Sequence, residues 1–377
     1  MKELLFILGT RPEAIKLAPL IMEFKSRKNY NVTVCNTEQQ KDLSNQTLDF
    51  FELKADINLN VMTPNQSLGD TQCEIFKGLK EIFTKKKFDA IFVQGDTLTV
   101  LSGALMAFYN KIPLFHVEAG LRSYDLQEPY PEEGIRQMVS RITTLHFAPT
   151  EKASQTLLQE GIEKTKIFVT GNTVIDALHR ISSTSMYKAQ QKIKSFGIDV
   201  RDDIVLITVH RRENHGERLD SILDSILTLS KIYKEYKFVI PVHPNPNVKG
   251  RILKYFSEES NIILTPPLDY PCLVSLLRCA KLVLTDSGGI QEEAPTFGTP
   301  ILVMRYETER TEGVEAGFSK LVGADKQNII DESQKILSIS NRESFLSNKK
   351  NPYGDGYASK RIAEIVNDYF YSDKDEI

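Results

Sequence analysis

Short polar corners recur along the sequence, and they carry the residue types from which acid/base and anion chemistry is built. They are Gly9-Thr-Arg11-Pro-Glu13, Gln94-Gly-Asp96-Thr97, His116-Val-Glu118, Gly171-Asn-Thr173, His210-Arg-Arg-Glu213, His243-Pro and Asp286-Ser-Gly-Gly289. Each stands at the end of a short apolar run. Taken singly they have plainer roles: Asp96 or Thr97 can cap the next helix, and a lone histidine can satisfy buried backbone. Taken together, His116, His210 and His243 with neighbouring acids and Arg11 argue a site. His146 sits inside an apolar run and reads as core.

Two further segments fit that site. In Asp286-Ser287-Gly288-Gly289-Ile-Gln-Glu292-Glu293, small residues at a strand-to-helix corner let a phosphate approach backbone N–H groups, a pyrophosphate cradle from which Glu293 could return to a sugar diol. The same glycines also suit a plain tight turn. The segment from Glu118 to Arg136 is a long polar loop entering a helix, with Glu132-Glu133 behind Pro131. Paired acids at a helix start favour the macrodipole. Beside Asp96, Glu118 and His210 they are also candidate acid/base groups, because carboxylates crowded in a partly desolvated cleft can share proton traffic. Neither a GxGxxG fingerprint nor a GxxxxGK[ST] loop occurs, which removes the main warrant for dinucleotide or Walker-type binding.

The elements that must position these residues are legible as alternating apolar runs and helical patterns. Leu4 to Leu8, Val32 to Cys35, Ala90 to Val93, Leu114 to Val117, His146 to Ala148 and Ile167 to Val169 form one series. Ile204 to Val209, Phe238 to Val242, Ile262 to Leu264, Leu282 to Leu284 and Ile301 to Val303 form a second. Such alternation predicts two α/β domains, each a parallel sheet with crossover helices, with ligands at the carboxyl ends of the strands across a cleft. The polar, lysine-rich stretch from Ser182 to Asp203 lacks a strand, and the junction is expected in or before it. Tyr357 to Tyr371 reads as a last amphipathic helix with Ile362, Ile365, Val366 and Phe370 on one side.

Composition narrows the function classes. A chain of 377 residues exceeds one typical domain, and 47 basic against 50 acidic residues leave a net charge of −3, which disfavours nucleic acid and anionic membranes as partners. No apolar run approaches the roughly 20 residues of a membrane helix, and Leu4 to Leu8 is too short for a signal-peptide core, so a soluble cytoplasmic protein is expected. Cys35, Cys73, Cys272 and Cys279 form no CxxC pair, which argues for reduced thiols and against a metal site.

The ordered set Gly9-Thr-Arg-Pro-Glu, Gln94-Gly-Asp-Thr, His116-Val-Glu-Ala-Gly-Leu-Arg122, Pro131-Glu-Glu133, Gly171-Asn-Thr-Val-Ile-Asp176, His210-Arg-Arg-Glu-Asn214, Asp286 to Pro295, Thr308-Glu-Arg310 and Asn351-Pro-Tyr-Gly-Asp-Gly356 resembles the non-hydrolysing UDP-N-acetylglucosamine 2-epimerases from residue 3 to about 360. The resemblance implies two Rossmann-like domains facing a cleft, similar to the glycosyltransferase B architecture: 1–172 on the sugar and acid/base side, 173–355 on the UDP side, and 356–377 as a C-terminal helix returning to the first domain. It implies interconversion of UDP-GlcNAc and UDP-ManNAc by loss of the C2 proton and of UDP, then re-addition of UDP to an enzyme-held 2-acetamidoglucal. No cofactor is called for, and a homodimer is the family expectation.

By motif, Asp96, Glu118 and Glu132 become the acid/base group, and His210 assists the leaving phosphate. Arg11, Lys16, Ser287, Gly288, Gly289 and Arg310 become phosphate and sugar contacts, Glu293 the ribose contact, and His243 and Leu273 positions lining the cleft. The chain departs from its relatives at Gly134-Ile135, at Thr311 in place of a usual proline, and in the uracil stretch Pro267 to Leu273, where leucines replace a glutamine and a phenylalanine. A second UDP-GlcNAc binds many bacterial relatives through a Gln-His-Arg segment, and Gln39-Gln40-Lys41 stands there instead. A glycosyltransferase of the same architecture, a hydrolysing epimerase releasing ManNAc, an epimerase of a modified UDP-2-acetamido sugar and an inactive UDP-sugar sensor are the competing readings.

Overall fold

The computed structural model describes residues 1–243, 245–256, 261–339 and 349–372. Pro244 of the His243-Pro corner and the end of the 356–377 segment lie outside the described residues. The chain divides into two compact units, Met1–Arg180 with Tyr353–Ile377, and Ile181–Pro352. The junction expected at 172 falls eight residues later, because the helix Thr173–His179 packs on the helix Arg11–Lys25 of the first unit.

The first unit is built on β1 (Lys2–Leu8), β2 (Tyr30–Asn36), β3 (Ile57–Asn58), β4 (Ala90–Gln94), β5 (Leu114–Val117), β6 (Leu145–Ala148) and β7 (Ile167–Val169). They lie in the order β3-β2-β1-β4-β5-β6-β7 and all pair in parallel. The second unit repeats the plan with β8 (Ile204–Thr208), β9 (Lys237–Pro241), β10 (Ile262–Thr265), β11 (Leu282–Thr285), β12 (Ile301–Val303) and β13 (Ser319–Leu321) in the order β10-β9-β8-β11-β12-β13. Both are doubly wound sheets whose order reverses at one point, between β1 and β4 and between β8 and β11. Two strands escape the sequence reading, β3 and β13. They hold two and three residues at sheet edges and contain Asn58, Ser319 and Lys320, so no apolar run marks them.

Central strands are apolar on both sides because helices cover both faces. Leu4 to Leu8 are fully buried, and Phe6 of β1 stacks on Phe92 of β4 with ring centroids 4.4 Å apart. In the second unit Val205, Ile207, Phe238 and Ile240 join one core with the helix Glu217–Ile232, while Leu206, Val239 and Val283 face the opposite layer. The stretch after Ser182 supplies that layer: Ala189, Ile193 and Ile198 are its buried members, and the helix Ser183–Lys194 carries lysines on its exposed side. Among the described residues no helix is long and apolar enough to cross a membrane.

The terminal helix Ala358–Tyr371 packs on the first unit, with Tyr369 edge-on to Phe115 at 5.3 Å. Its start is capped from elsewhere in the chain. The buried carboxylate of Asp176 accepts hydrogen bonds from Ala358 N at 3.1 Å and Ser359 N at 2.7 Å. Burial raises the Asp176 pKa, and those bonds oppose the rise. Asp176→Ala strands both donors, so a loss of about 1–3 kcal/mol in urea unfolding is expected, with faster proteolysis near residue 355. Unchanged stability and cleavage would show that this cap does not hold the helix.

Candidate active site

In an open parallel sheet, ligands bind beyond the carboxyl ends of the strands where the order reverses. In the first unit that point is flanked by the loop after β1 and the corner after β4. Gly9 follows β1, and the position demands glycine because a Cβ there would lie 2.0 Å from Thr37 Oγ1. Thr10 then caps the helix Arg11–Lys25, and Glu13 in its first turn reaches back, its Oε2 accepting from Gly9 N at 2.6 Å and Thr10 N at 3.0 Å. This is the capping-box arrangement. The other carboxyl oxygen of Glu13 takes the hydroxyl of Thr97 across the reversal. Glu13 is 1% exposed, and burial raises its pKa from the usual range to about 7 against the pull of those hydrogen bonds, with Asp96 adding to the rise.

The helix so started presents two cations. Arg11 is half-buried, its guanidinium without an ion-pair partner among the described residues. Lys16 is buried and pairs with Glu118. Glu118 follows β5 with φ +64°, a left-handed conformation costly for a residue with a side chain and one that clusters at functional sites. Its carboxylate is also hydrogen-bonded to Gln94 and lies 3.5 Å from Asn172 Nδ2. Asp96 is held by Arg136, whose Nε donates to Oδ2 at 2.7 Å. The helix Glu132–Ile142 carries Arg136 one turn below Glu132, so both occupy one face.

The two adjacent glutamates divide their work. Glu133 is fully buried and braces the loop, accepting from Ser123 N and Gln137 Nε2, each at 2.9 Å, and pairing with Arg136 at 3.4 Å. Glu132 Oε2 is buried and has no hydrogen-bond partner among the described residues. His116 proves to be a brace. It is 2% exposed, its Nε2 meets Gly95 O at 2.8 Å, and burial pushes the imidazole down to about 4, so it is neutral at physiological pH. His146 is fully buried, with burial lowering it to about 3, as a core histidine requires.

In the second unit the reversal between β8 and β11 is spanned by Asp286, which is fully buried. Its carboxylate accepts from His210 N at 3.0 Å, Arg211 N at 2.9 Å and Asn214 Nδ2 at 3.1 Å, and lies 3.2 Å from His210 Nδ1. The ring of His210 keeps about a third of its side chain exposed and stacks on His243 at 5.4 Å. His243 is itself exposed, its Nδ1 accepting from Asn245 N at 3.2 Å.

Ser287 opens the short helix Gly288–Glu293. A Cβ on Gly288 would lie 2.9 Å from Arg310 Cζ, so the guanidinium rests directly on this turn, held by Glu292 at 2.9 Å and Glu309 at 3.3 Å. A Cβ on Gly289 would meet nothing within 4 Å, leaving open space beside the backbone where a ligand could approach. Glu293 is 6% exposed at the end of that helix. Leu273, on the helix Tyr270–Cys279, packs its side chain partly against the core with Cys272 and Leu276. Among the described residues no cluster of His, Cys, Asp and Glu is arranged to hold a metal ion. Cys35 and Cys272 are buried thiols pushed up to about 12, so they are inert.

The structure therefore gathers Lys16 with Glu118, Asp96 with the helix face of Glu132, and His210, His243, Ser287, Gly288 and Arg310 around Asp286 and the turn after it. Sequence reasoning assigned no role to Glu13, Arg136 or Asp286. Two had a visible signal: Thr10 and Glu13 have capping-box spacing, and Glu132 and Arg136 are four apart on a helix. Asp286 acts on backbone groups of a distant segment, which no spacing reveals.

The sequence model of the family described as UDP-N-acetylglucosamine 2-epimerase matches residues 22–367. A UDP-N-acetylglucosamine 2-epimerase of Neisseria meningitidis is 45% identical over 97% of this chain and 99% of its own, and one of Escherichia coli K12 is 42% identical over 97% and 98%. A crystal structure of the UDP-GlcNAc 2-epimerase from Neisseria meningitidis, bound to UDP-GlcNAc, superposes with a TM-score of 0.91 at 44% identity, covering 97% of this chain and 99% of that one. With its two doubly wound sheets and motifs matched over nearly their whole length, the chain belongs to the UDP-N-acetylglucosamine 2-epimerase family.

Proposed function

We propose that the protein interconverts UDP-GlcNAc and UDP-ManNAc by elimination and re-addition of UDP, in the cytoplasm and as a homodimer, and so supplies ManNAc-type precursors for surface polysaccharide. A carboxylate takes the C2 proton as the bond from C1 to the UDP oxygen breaks, giving 2-acetamidoglucal and UDP. UDP then returns to C1 while a proton is delivered to the opposite face of C2. The sequence is redox-neutral and asks for no nicotinamide. The observation that carries this reading is the buried Oε2 of Glu132, unpartnered among the described residues, on the helix face whose Arg136 holds Asp96. A carboxylate oxygen left without a hydrogen-bond partner keeps its lone pairs for an incoming proton, which is what a base at carbon requires.

The roles proposed for the residues are those the family resemblance implies. Asp96, Glu118 and Glu132 carry the proton traffic, and Arg11 and Lys16 bring positive charge to the sugar and its phosphate. Ser287, Gly288 and Gly289 offer backbone donors to the diphosphate, with Arg310 resting on that turn. His210, oriented by Asp286, faces the charge that grows on departing UDP. Glu293 takes the ribose, and His243 and Leu273 border the nucleotide. A glycosyltransferase would need one base and an acceptor groove; several carboxylates at separate strand ends favour epimerisation.

Incubated with UDP-GlcNAc in heavy water, the protein is expected to give both epimers with deuterium at C2 and the UDP linkage intact, as read by proton NMR. Retention of the original C2 proton would overturn the mechanism, and accumulation of free ManNAc with UDP would favour the hydrolysing reaction. Asp96→Asn, Glu118→Gln and Glu132→Gln should each cut kcat by ~10²- to 10⁴-fold with UDP binding nearly unchanged, whereas Ser287→Ala and Glu293→Ala should mainly weaken UDP binding. A Glu132→Gln variant as fast as wild type would remove that residue from the chemistry.

The second-ligand segment of the relatives is altered here. Gln40 spends its side-chain oxygen on Arg11 N at 3.1 Å, and Glu74, where relatives can carry arginine, pairs with Lys77 at 2.6 Å. UDP-ManNAc supplied alone should therefore be converted without a lag. A lag abolished by traces of UDP-GlcNAc would show that a second site survives.

A further inference from the structure

Glu13 is a buried ionisable group of the first unit that the proposed chemistry leaves unused. A capping-box glutamate commonly lies at the surface with one oxygen on backbone and the other in water. Here both oxygens are enclosed: Oε2 accepts from Gly9 N and Thr10 N, and Oε1 is bonded to Thr97 Oγ1. Thr97 directly follows Asp96 and at the same time caps the helix Leu98–Tyr109 through Val100 N at 3.3 Å. The strands that deliver these two loops, β1 and β4, are sheet neighbours paired from Leu4 with Ala90 to Phe6 with Phe92. Their exits nonetheless separate at the reversal of strand order.

We infer that Glu13 is a positioning residue, whose carboxyl group ties the Gly9–Arg11 loop to the Asp96–Thr97 corner and so holds Asp96 in place for the reaction. Asp96 is then held from two directions, through its side chain by Arg136 and through its backbone by the Thr97 link. The second unit supports the assignment by analogy, since Asp286 spans the equivalent reversal and fixes His210 in the same manner. A cap that served only the helix would need no hydroxyl from the opposite loop. The inference rests on the epimerase reading, in which Asp96 transfers a proton and a displacement of about 1 Å costs rate more than binding.

The test measures kcat by C2 deuterium exchange, UDP affinity by calorimetry, and Tm, for wild type, Thr97→Val, Thr97→Ser, Glu13→Ala and the double variant Glu13→Ala/Thr97→Val. Thr97→Val should lose at least tenfold in kcat with UDP affinity within twofold, and Thr97→Ser, which keeps the hydroxyl, should stay within threefold of wild type. Glu13→Ala cuts the same link from its other end, so the double variant should be no slower than the slower single variant. If Glu13→Ala fails to fold, the contrast between valine and serine at position 97 decides. Thr97→Val folded and as fast as wild type, Thr97→Ser as slow as Thr97→Val, or losses that multiply in the double variant would overturn the inference. A wild-type protein that does not epimerise UDP-GlcNAc would overturn the functional reading and this inference with it, whereas an active wild type with an unaffected Thr97→Val would overturn this inference alone.

Discussion

Where the strand order of an open parallel sheet reverses, the loops leaving the two adjacent strands turn to opposite faces, and the ladder that held the strands no longer holds their exits. Any site built there needs a connection beyond the ladder. Each unit makes that connection with a carboxylate removed from water, Glu13 between the exits of β1 and β4 and Asp286 between those of β8 and β11. A carboxylate suits the position because in its ionised form it is acceptor-only, and the loops that diverge there present donors: Gly9 N, Thr10 N and the Thr97 hydroxyl in one unit, and His210 N, Arg211 N and Asn214 Nδ2 in the other.

With the loops fixed, the remaining charges fall into pairs by reach. Lys16 meets Glu118 because the helix started by Glu13 carries it there, and Arg136 meets Asp96 because Glu133 holds the incoming loop through Ser123 N. Among the described residues the Arg11 guanidinium has no ion-pair partner and Glu132 Oε2 no hydrogen-bond partner. Buried ion pairs contribute little net stability. Their effect here is selection, since they determine which carboxylate oxygens are already hydrogen-bonded and which are not.

Much of this was legible in the sequence, for a physical reason. Central parallel strands must be apolar on both faces, so β1, β4, β5, β8 and β11 stand out as runs, and whatever polar residue ends such a run lies at the carboxyl edge. Asp96, Glu118, His210 and Ser287 were found by that rule alone. It fails at the sheet edges, where β3 and β13 are too short to need a run, and at His116, which ends a run yet turns inward to the Gly95 carbonyl. It also cannot separate Glu132 from Glu133, because which of two adjacent glutamates is enclosed depends on Ser123 and Gln137 arriving from one side. Asp286 and the Thr97 link of Glu13 escaped for a related reason: each joins groups far apart in sequence, although the cap of Glu13 itself is visible as spacing.

The Glu13 bridge carries a cost that bears on its purpose. Burial raises its pKa from 4.5 unfolded to about 7 folded, so the folded state holds the proton more tightly across that interval. Stability attributable to this group is then fully present below pH 4.5 and is lost as pH rises through 7, by about 3 kcal/mol in the ionised limit. Glutamine completes a capping box as well as glutamate does and would carry no such penalty. It would, however, turn an amide N–H toward Thr97 Oγ1 and so leave the threonine hydroxyl without the acceptor that Glu13 provides. The carboxyl is the group that serves both loops at once, so its cost in stability falls on the connection between them and not on the helix cap.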